Sequence, residues 1–211
     1  MVQVTVFGAN GSSGQEICKY CIGKGWAVIA AVRRPETMKD FLGVEVRKIR
    51  FDDSTSMENA VRGSDAVVMA TGSGSIVAAR KYTTVYSDGV RSARRAMEAQ
   101  GIKRLLVLSA AGVDYDKNAP WMYNRLLRLY LINSLIDIGR METILAEDNN
   151  LEWTVVRLPA LGKGRSKPYK TADLYHPKGS KYEIHHVDVG KFIGDEIANP
   201  QYIRKFPAPS Y

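Results

Sequence analysis

The chain has 211 residues, 45% of them hydrophobic and 25% charged, with a formal net charge of +8. That length and apolar content suit one globular domain, soluble and large enough for a substantial core. No apolar run is long enough to cross a bilayer and the chain starts directly in a strand-like run, so no spanning helix or secretory signal is expected and the reading is cytoplasmic. The basic residues are scattered and form no nucleic-acid-binding motif, so neither nucleic acid nor membrane is an expected partner.

Residues 4–7 are a β-rich apolar run leading into Gly8-Ala9-Asn10-Gly11-Ser12-Ser13-Gly14. Glycines at this spacing let the backbone turn sharply, approach a ligand closely and pack the next helix against its strand. A helix starting near Ser12 would aim free N–H groups and a positive dipole end at a pyrophosphate. A loop needing positive φ is the plainer alternative, but the position between strand and helix favours a bound dinucleotide. Cys18 and Cys21 share one face of that helix, where cysteine behaves as a small buried hydrophobe rather than a redox pair or a zinc site.

Residues 26–32 read as a second strand, buried on both faces, that ends in Arg33-Arg34-Pro35. An NAD site usually has a carboxylate there for the ribose; two guanidinium groups suit a 2′-phosphate and favour NADP(H), against the simpler reading of an exposed basic turn. Residues 44–49 form a third strand, followed by Asp52 and a short helix over 55–62. Residues 65–70 form a fourth strand, which opens into the small-residue turn Thr71-Gly72-Ser73-Gly74-Ser75. In a doubly wound parallel sheet, both small-residue turns would open at the ligand crevice beyond the strand ends.

A helix over 83–100 stops at Gly101, and a fifth strand over 102–108 delivers Ser109, a catalytic candidate facing the nicotinamide or a turn cap. Residues 120–147 carry the longest helical signal, an apolar surface read as core with a dimer face as the lesser alternative, so the chain is a monomer or a homodimer. A sixth strand over 151–158 ends at Pro159. The basic run Lys163, Arg165, Lys167 and Lys170 reads as mobile solvated charge, with an anionic-substrate mouth as the alternative. His185, His186 and Asp188 precede or open a last helix over 187–198; no metal is expected there, and Asp188 suits a helix N-terminus.

The glycine turn, Ala31-Val-Arg-Arg34, Leu106-Val-Leu-Ser-Ala110, the run from Glu152 to Pro159 and His186-Val-Asp-Val189 together resemble the atypical short-chain dehydrogenases that include NmrA-like proteins. Within them, the small NADPH-dependent flavin and biliverdin-IXβ reductases are the nearest group. The resemblance covers nearly the whole chain. It implies an α/β, single-domain doubly wound parallel sheet (Rossmann fold) with helices on both faces, and a small substrate-side region over about 159–211.

The resemblance further implies that Gly8, Asn10, Gly11, Ser12, Ser13 and Gly14 line the pyrophosphate, with Thr71 and Gly72 beside it. Arg33 and Arg34 would meet the 2′-phosphate, Asp52 would lie near adenine, and Ser109 and Pro159 would frame the nicotinamide. Two departures are Ala160, where the flavin reductases carry histidine, and Ala110, one position after Ser109, where they carry the active-site serine. The literal Tyr-x-x-x-Lys at Tyr20 and Lys24 falls on the first helix, away from that chemistry, which leaves Tyr115 and Tyr123 as candidate proton donors. The expected activity is NADPH-dependent hydride transfer to a flavin-, quinone- or tetrapyrrole-like acceptor, planar and anionic. The alternative is an NADP(H)-sensing regulator without turnover, and a lesser one an isomerase or dehydratase.

Overall fold

The computed structural model describes residues 1–72 and 80–211. Its centre is a six-stranded parallel sheet in the order β3-β2-β1-β4-β5-β6. The strands are β1 Gln3–Phe7, β2 Ala27–Val32, β3 Glu45–Lys48, β4 Ala66–Met69, β5 Arg104–Ala110 and β6 Glu152–Leu158. The chain builds outward from β1 through β2 to β3, then returns to pair β4 with the other side of β1. That reversal leaves a crevice beyond the carboxyl ends of β1 and β4.

Side chains alternate across the sheet as a period of two requires. From β1, β5 and β6, Phe7, Leu105, Val107, Trp153 and Val155 enter one core, while Val4, Val6, Leu106 and Val156 enter the other. Helices α2 Ser54–Val61, α3 Val85–Ala99 and α4 Ile132–Ala146 cover the first face; α1 Ser12–Gly23 and α5 His186–Ala198 cover the second. Leu145 on α4 is fully buried; truncating it to alanine costs about 2–5 kcal/mol in transfer energy and residual cavity. The pair α1–α5 is held at backbone contact. A Cβ on Gly190 would lie 2.6 Å from the carbonyl oxygen of Glu16, and one on Gly194 would lie 2.3 Å from the Tyr20 ring.

Two stretches depart from the sequence reading. The helix expected over 120–147 is broken: a π-helical turn Tyr123–Leu127 runs into Arg128–Tyr130, and α4 begins only at Ile132. Asn124 Nδ2 donates to the carbonyl of Asp116 at 2.8 Å and the Tyr123 ring meets Tyr182 edge-on, contacts that the widened turn satisfies. Beyond β6, segments with no visible alternation form two small sheets. β7 Ala160–Gly162 pairs in parallel with β9 Glu183–His185, and β8 Lys170–Asp173 pairs antiparallel with β10 Pro207–Ser210. Such short strands are defined by a partner far along the chain rather than by their own pattern.

Candidate functional site

The Gly8–Gly14 turn is set by close backbone approach. Gly8 has φ +74°, and a Cβ there would lie 2.6 Å from the carbonyl oxygen of Ala70. On Gly14 a Cβ would lie 2.2 Å from the carbonyl oxygen of Gly8, so only hydrogen fits where α1 leaves the strand. The turn closes on itself through Gly11 N–H donating to Gly8 at 2.9 Å, and Gly11 caps α1 without a side-chain acceptor. The first N–H groups of α1 therefore face outward with the dipole's positive end, the arrangement that receives a phosphate. Asn10, Gly11 and Ser12 are exposed, whereas Ser13 is buried and its Oγ lies 2.8 Å from His186 Nδ1. A cleft of about 380 Å³ beside it is bordered by Ser12, Gln15, Lys163 and His186. Burial, followed by the nearby Lys163 charge, holds His186 below its ordinary pKa.

Arg33 and Arg34 follow β2 on the same edge of the sheet, both exposed, and neither guanidinium pairs with a carboxylate among the described residues. Asp52 is exposed and held by Arg50 at 2.7 Å, while Asp53 caps α2 by accepting from Ser56 N–H. Thr71 and Gly72 follow β4 directly against Gly8, whose missing Cβ would lie 3.0 Å from Thr71 N. The remainder of that turn, Ser73-Gly74-Ser75, lies outside the described residues.

At the end of β5, Ser109 is buried and donates its hydroxyl proton to Glu142 of α4 at 2.6 Å. Glu142 also pairs with Arg157 of β6 at 2.6 Å, and Arg157 reaches Asp114 at 2.6 Å. Although burial disfavours its charge, the two carboxylates outweigh that and raise the Arg157 pKa. Ser109 is thus one arm of a buried ionic network that ties β5 and β6 to α4.

The other candidates separate. Tyr115 is 66% exposed and borders a small recess with Asp116, Arg157 and His176. Tyr123 instead lines a larger cavity of about 550 Å³ with Pro120, Met122, Tyr130, Ala160 and Tyr182, and Lys181 on its wall. Pro159, immediately before Ala160, is buried. Burial, and then the charge of Asp116, push the Tyr123 phenol up to about 12, so it keeps its proton at neutral pH.

Behind this wall, Tyr182 donates to Asp116, which also accepts from the backbone N–H of His176 at 2.9 Å and lies 2.9 Å from its Nδ1. Burial opposes charge on Asp116, but these hydrogen bonds hold its carboxyl below the usual range. Burial also lowers the pKa of His176, despite Asp116 beside it.

The basic loop between β7 and β8 is tethered rather than free. Buried Asp188, in the first turn of α5, accepts from Ser166 Oγ at 2.5 Å, from Lys167 N–H at 3.2 Å and from the Tyr211 hydroxyl. The Lys167 ammonium sits 5.0 Å over the Tyr211 ring, and His185 Nδ1 lies 2.9 Å from the carbonyl of Arg165. The charged tips of the loop are exposed while its backbone is pinned. Cys18 and Cys21 are fully buried, and burial pushes both thiols up to about 12, the opposite of a reactive cysteine.

The turn, the strand order and the crevice meet their counterpart in known proteins. A family described as NAD(P)H-binding matches residues 8–200. The chain belongs to this NAD(P)H-binding family. A yeast relative, UPF0659 protein YMR090W of Saccharomyces cerevisiae, is 26% identical over 94% of this chain and 88% of its own length. A protein called uncharacterized sugar epimerase YhfK, from Bacillus subtilis, is 27% identical over 74% of this chain and 71% of its own. Among solved structures, a short-chain dehydrogenase/reductase from Veillonella parvula in complex with NADP superposes with a TM-score of 0.77 at 19% identity, covering 100% of this chain and 94% of that one.

Several members of the site left little trace in the sequence. Glu142, Arg157, Asp116, His176 and Tyr182 come together from segments far apart in the chain, and no local spacing marks them. Asp188 is the exception, since an acid in the first turn of a helix is readable, though its hold on the basic loop is not.

Proposed function

We propose that this protein is an NADP(H)-dependent reductase that passes hydride to a planar, anionic acceptor of the flavin, quinone or tetrapyrrole type. The observation that carries the reading is the apolar, tyrosine-walled cavity at Ala160, directly after Pro159. It adjoins Pro159, one of the two residues expected to frame a nicotinamide, and its walls suit a flat conjugated ring system. Bound dinucleotide supplies the hydride; the chain supplies position and proton control.

The outward N–H groups of α1, with Gly8 and Gly14 allowing close approach, hold the pyrophosphate. Arg33 and Arg34 would hold the 2′-phosphate by charge-assisted contacts and so favour NADP(H) over NAD(H). Tyr123, kept protonated, donates a hydrogen bond to a heteroatom of the acceptor as charge builds there. Lys181 draws an anionic substituent to the cavity wall. Ser109, engaged by Glu142, fixes the end of β5 behind the nicotinamide site.

That engagement of Ser109, together with alanine at 160, favours one second reading, an NADP(H) sensor that binds without turnover. The two part in a single assay. Purified protein is mixed with NADPH and, in turn, FMN, quinones and biliverdin, while the reduced-cofactor absorbance is followed. Steady loss of absorbance with at least one acceptor is the expected result. NADPH binding without turnover on any of them would leave the sensor.

A further inference from the structure

The large exposed apolar side chains concentrate in one stretch. Trp121 is 70% exposed and Leu129 67%, and Met122, Tyr130, Ile132 and Ile136 accompany them within sixteen residues, 121–136. Single exposed apolar residues need no explanation, but a gathered set of this size does. Met122 and Tyr130 share a wall of the proposed acceptor cavity, and Ile132 and Ile136 line a groove with Arg128.

The stretch that builds this face carries charge of one sign. From Lys117 to Ile136 the chain carries Lys117, Arg125 and Arg128 and no Asp or Glu. The guanidinium of Arg80 stacks 4.8 Å over the Tyr130 ring, and the Asn124–Asp116 hydrogen bond ties the turn bearing Lys117 to the turn bearing Arg125. The flanking carboxylates are committed elsewhere. Asp114 pairs with Arg157, Asp116 accepts from Tyr182, and Asp137 is buried against Ser87. Of the basic residues that look scattered in the sequence, Arg80 is thus brought beside the apolar, aromatic stretch, while the Lys117 ammonium lies over the Tyr175 ring at 4.9 Å.

A second copy of the chain is a poor occupant. A two-fold contact would bring two sets of Lys117, Arg125 and Arg128 into one interface with no carboxylate between residues 117 and 136 to pair them, and like charges across an interface are costly. An anionic lipid surface satisfies both features at once: Trp and Tyr settle at headgroup depth, Leu and Met go below, and long basic side chains reach the phosphates. We infer that the face built from residues 117–125 and 128–136 binds peripherally to anionic phospholipid bilayers, with Trp121 and Leu129 inserted and Lys117, Arg125 and Arg80 on the headgroups. No helix of the described residues is long and apolar enough to cross a membrane, so the association is one of adsorption. The acceptor cavity opens at this face, so an acceptor dissolved in the bilayer enters without crossing water. That last consequence rests on the proposed reductase activity; the adsorption itself does not.

The test is flotation with vesicles of phosphatidylcholine alone or with about one-third phosphatidylserine, without NADPH. The protein floats with the anionic vesicles only, and raising salt from about 0.1 M to about 0.5 M weakens binding at least tenfold. Lys117→Glu with Arg125→Glu lowers binding about 25-fold or more, at a rough fivefold per lost charge, while NADPH binding and thermal unfolding stay as in the parent. Trp121→Ser with Leu129→Ser lowers it about tenfold and keeps the salt dependence. Absence of binding to the anionic vesicles overturns the inference, as does binding unchanged by charge reversal. So does a concentration-dependent dimer in sedimentation that Leu129→Ser dissolves, since a second copy would then own the face.

Discussion

The two ends of the crevice are built on different principles. At the β1–α1 turn the site is backbone: glycines set it, and a Cβ at Gly14 would fall 2.2 Å from a carbonyl oxygen of the same turn. At the proposed acceptor end the site is side chains, with Tyr123, Ala160 and Tyr182 converging from three separate segments. A backbone site tolerates almost no substitution because nothing can move aside, whereas a side-chain site can be retuned residue by residue without unfolding the chain. Within one Rossmann fold the glycine turn is thus fixed, and the proposed acceptor end is adjustable.

Substitutions at the two ends should separate accordingly. The largest effect is expected from Gly14→Val, which forces α1 away from β1 and destabilises the fold by about 3 kcal/mol, read from the urea unfolding midpoint. A fully stable Gly14→Val protein would show that the turn has slack. Next, Arg33→Ala with Arg34→Ala should weaken NADPH binding about 100-fold, two charge-assisted contacts' worth, and NADH binding less than about twofold, measured by titration calorimetry. Equal losses for both dinucleotides would remove the 2′-phosphate from these residues.

At the acceptor end, Tyr123→Phe should lower kcat/KM for the acceptor about tenfold while leaving NADPH affinity unchanged, since only one hydrogen bond is lost. A change in NADPH affinity instead would join the two ends and break the comparison.

The smallest effect concerns pH. Burial lowers the pKa of His176 in the fold below its ordinary 6.5, so the unfolded chain takes up the proton first as pH falls. The stability this group contributes is complete above 6.5 and is lost as pH drops below it. Stability should fall as pH is lowered from about 7.5 to about 5, and His176→Gln should flatten that slope in urea titrations.

The same division decides what could be read from the sequence. The glycine turn, the six central strands and the two arginines after β2 are local patterns, each encoded in a few consecutive residues. The small sheets beyond β6 were not legible, because Ala160–Gly162 and Pro207–Ser210 become strands only against Glu183–His185 and Lys170–Asp173. The ionic network at Ser109 was hidden for a related reason. Glu142 reads as one polar residue on a helix, and only the packing of α4 on β6 places Arg157 against it. The unbroken helix expected over 120–147 failed because apolar residues on every side of that stretch conceal where the turn widens.

The glycine contacts between α1 and α5 couple parts of the molecule that the two-ended description keeps apart. Gly190 meets the backbone at Glu16 with no side chain between them, and the Tyr20 hydroxyl donates to Asp195 at 2.6 Å further along. Helices in such contact behave as one stiff lever. Its one end carries the phosphate turn, and through Asp188 it grips the basic loop at Ser166. His186 joins the two helices at Ser13 and Asp188 in the same turn holds Ser166, so the basic loop and the Gly8–Gly14 turn rest on the same rigid base, and a change in one is felt first by the other.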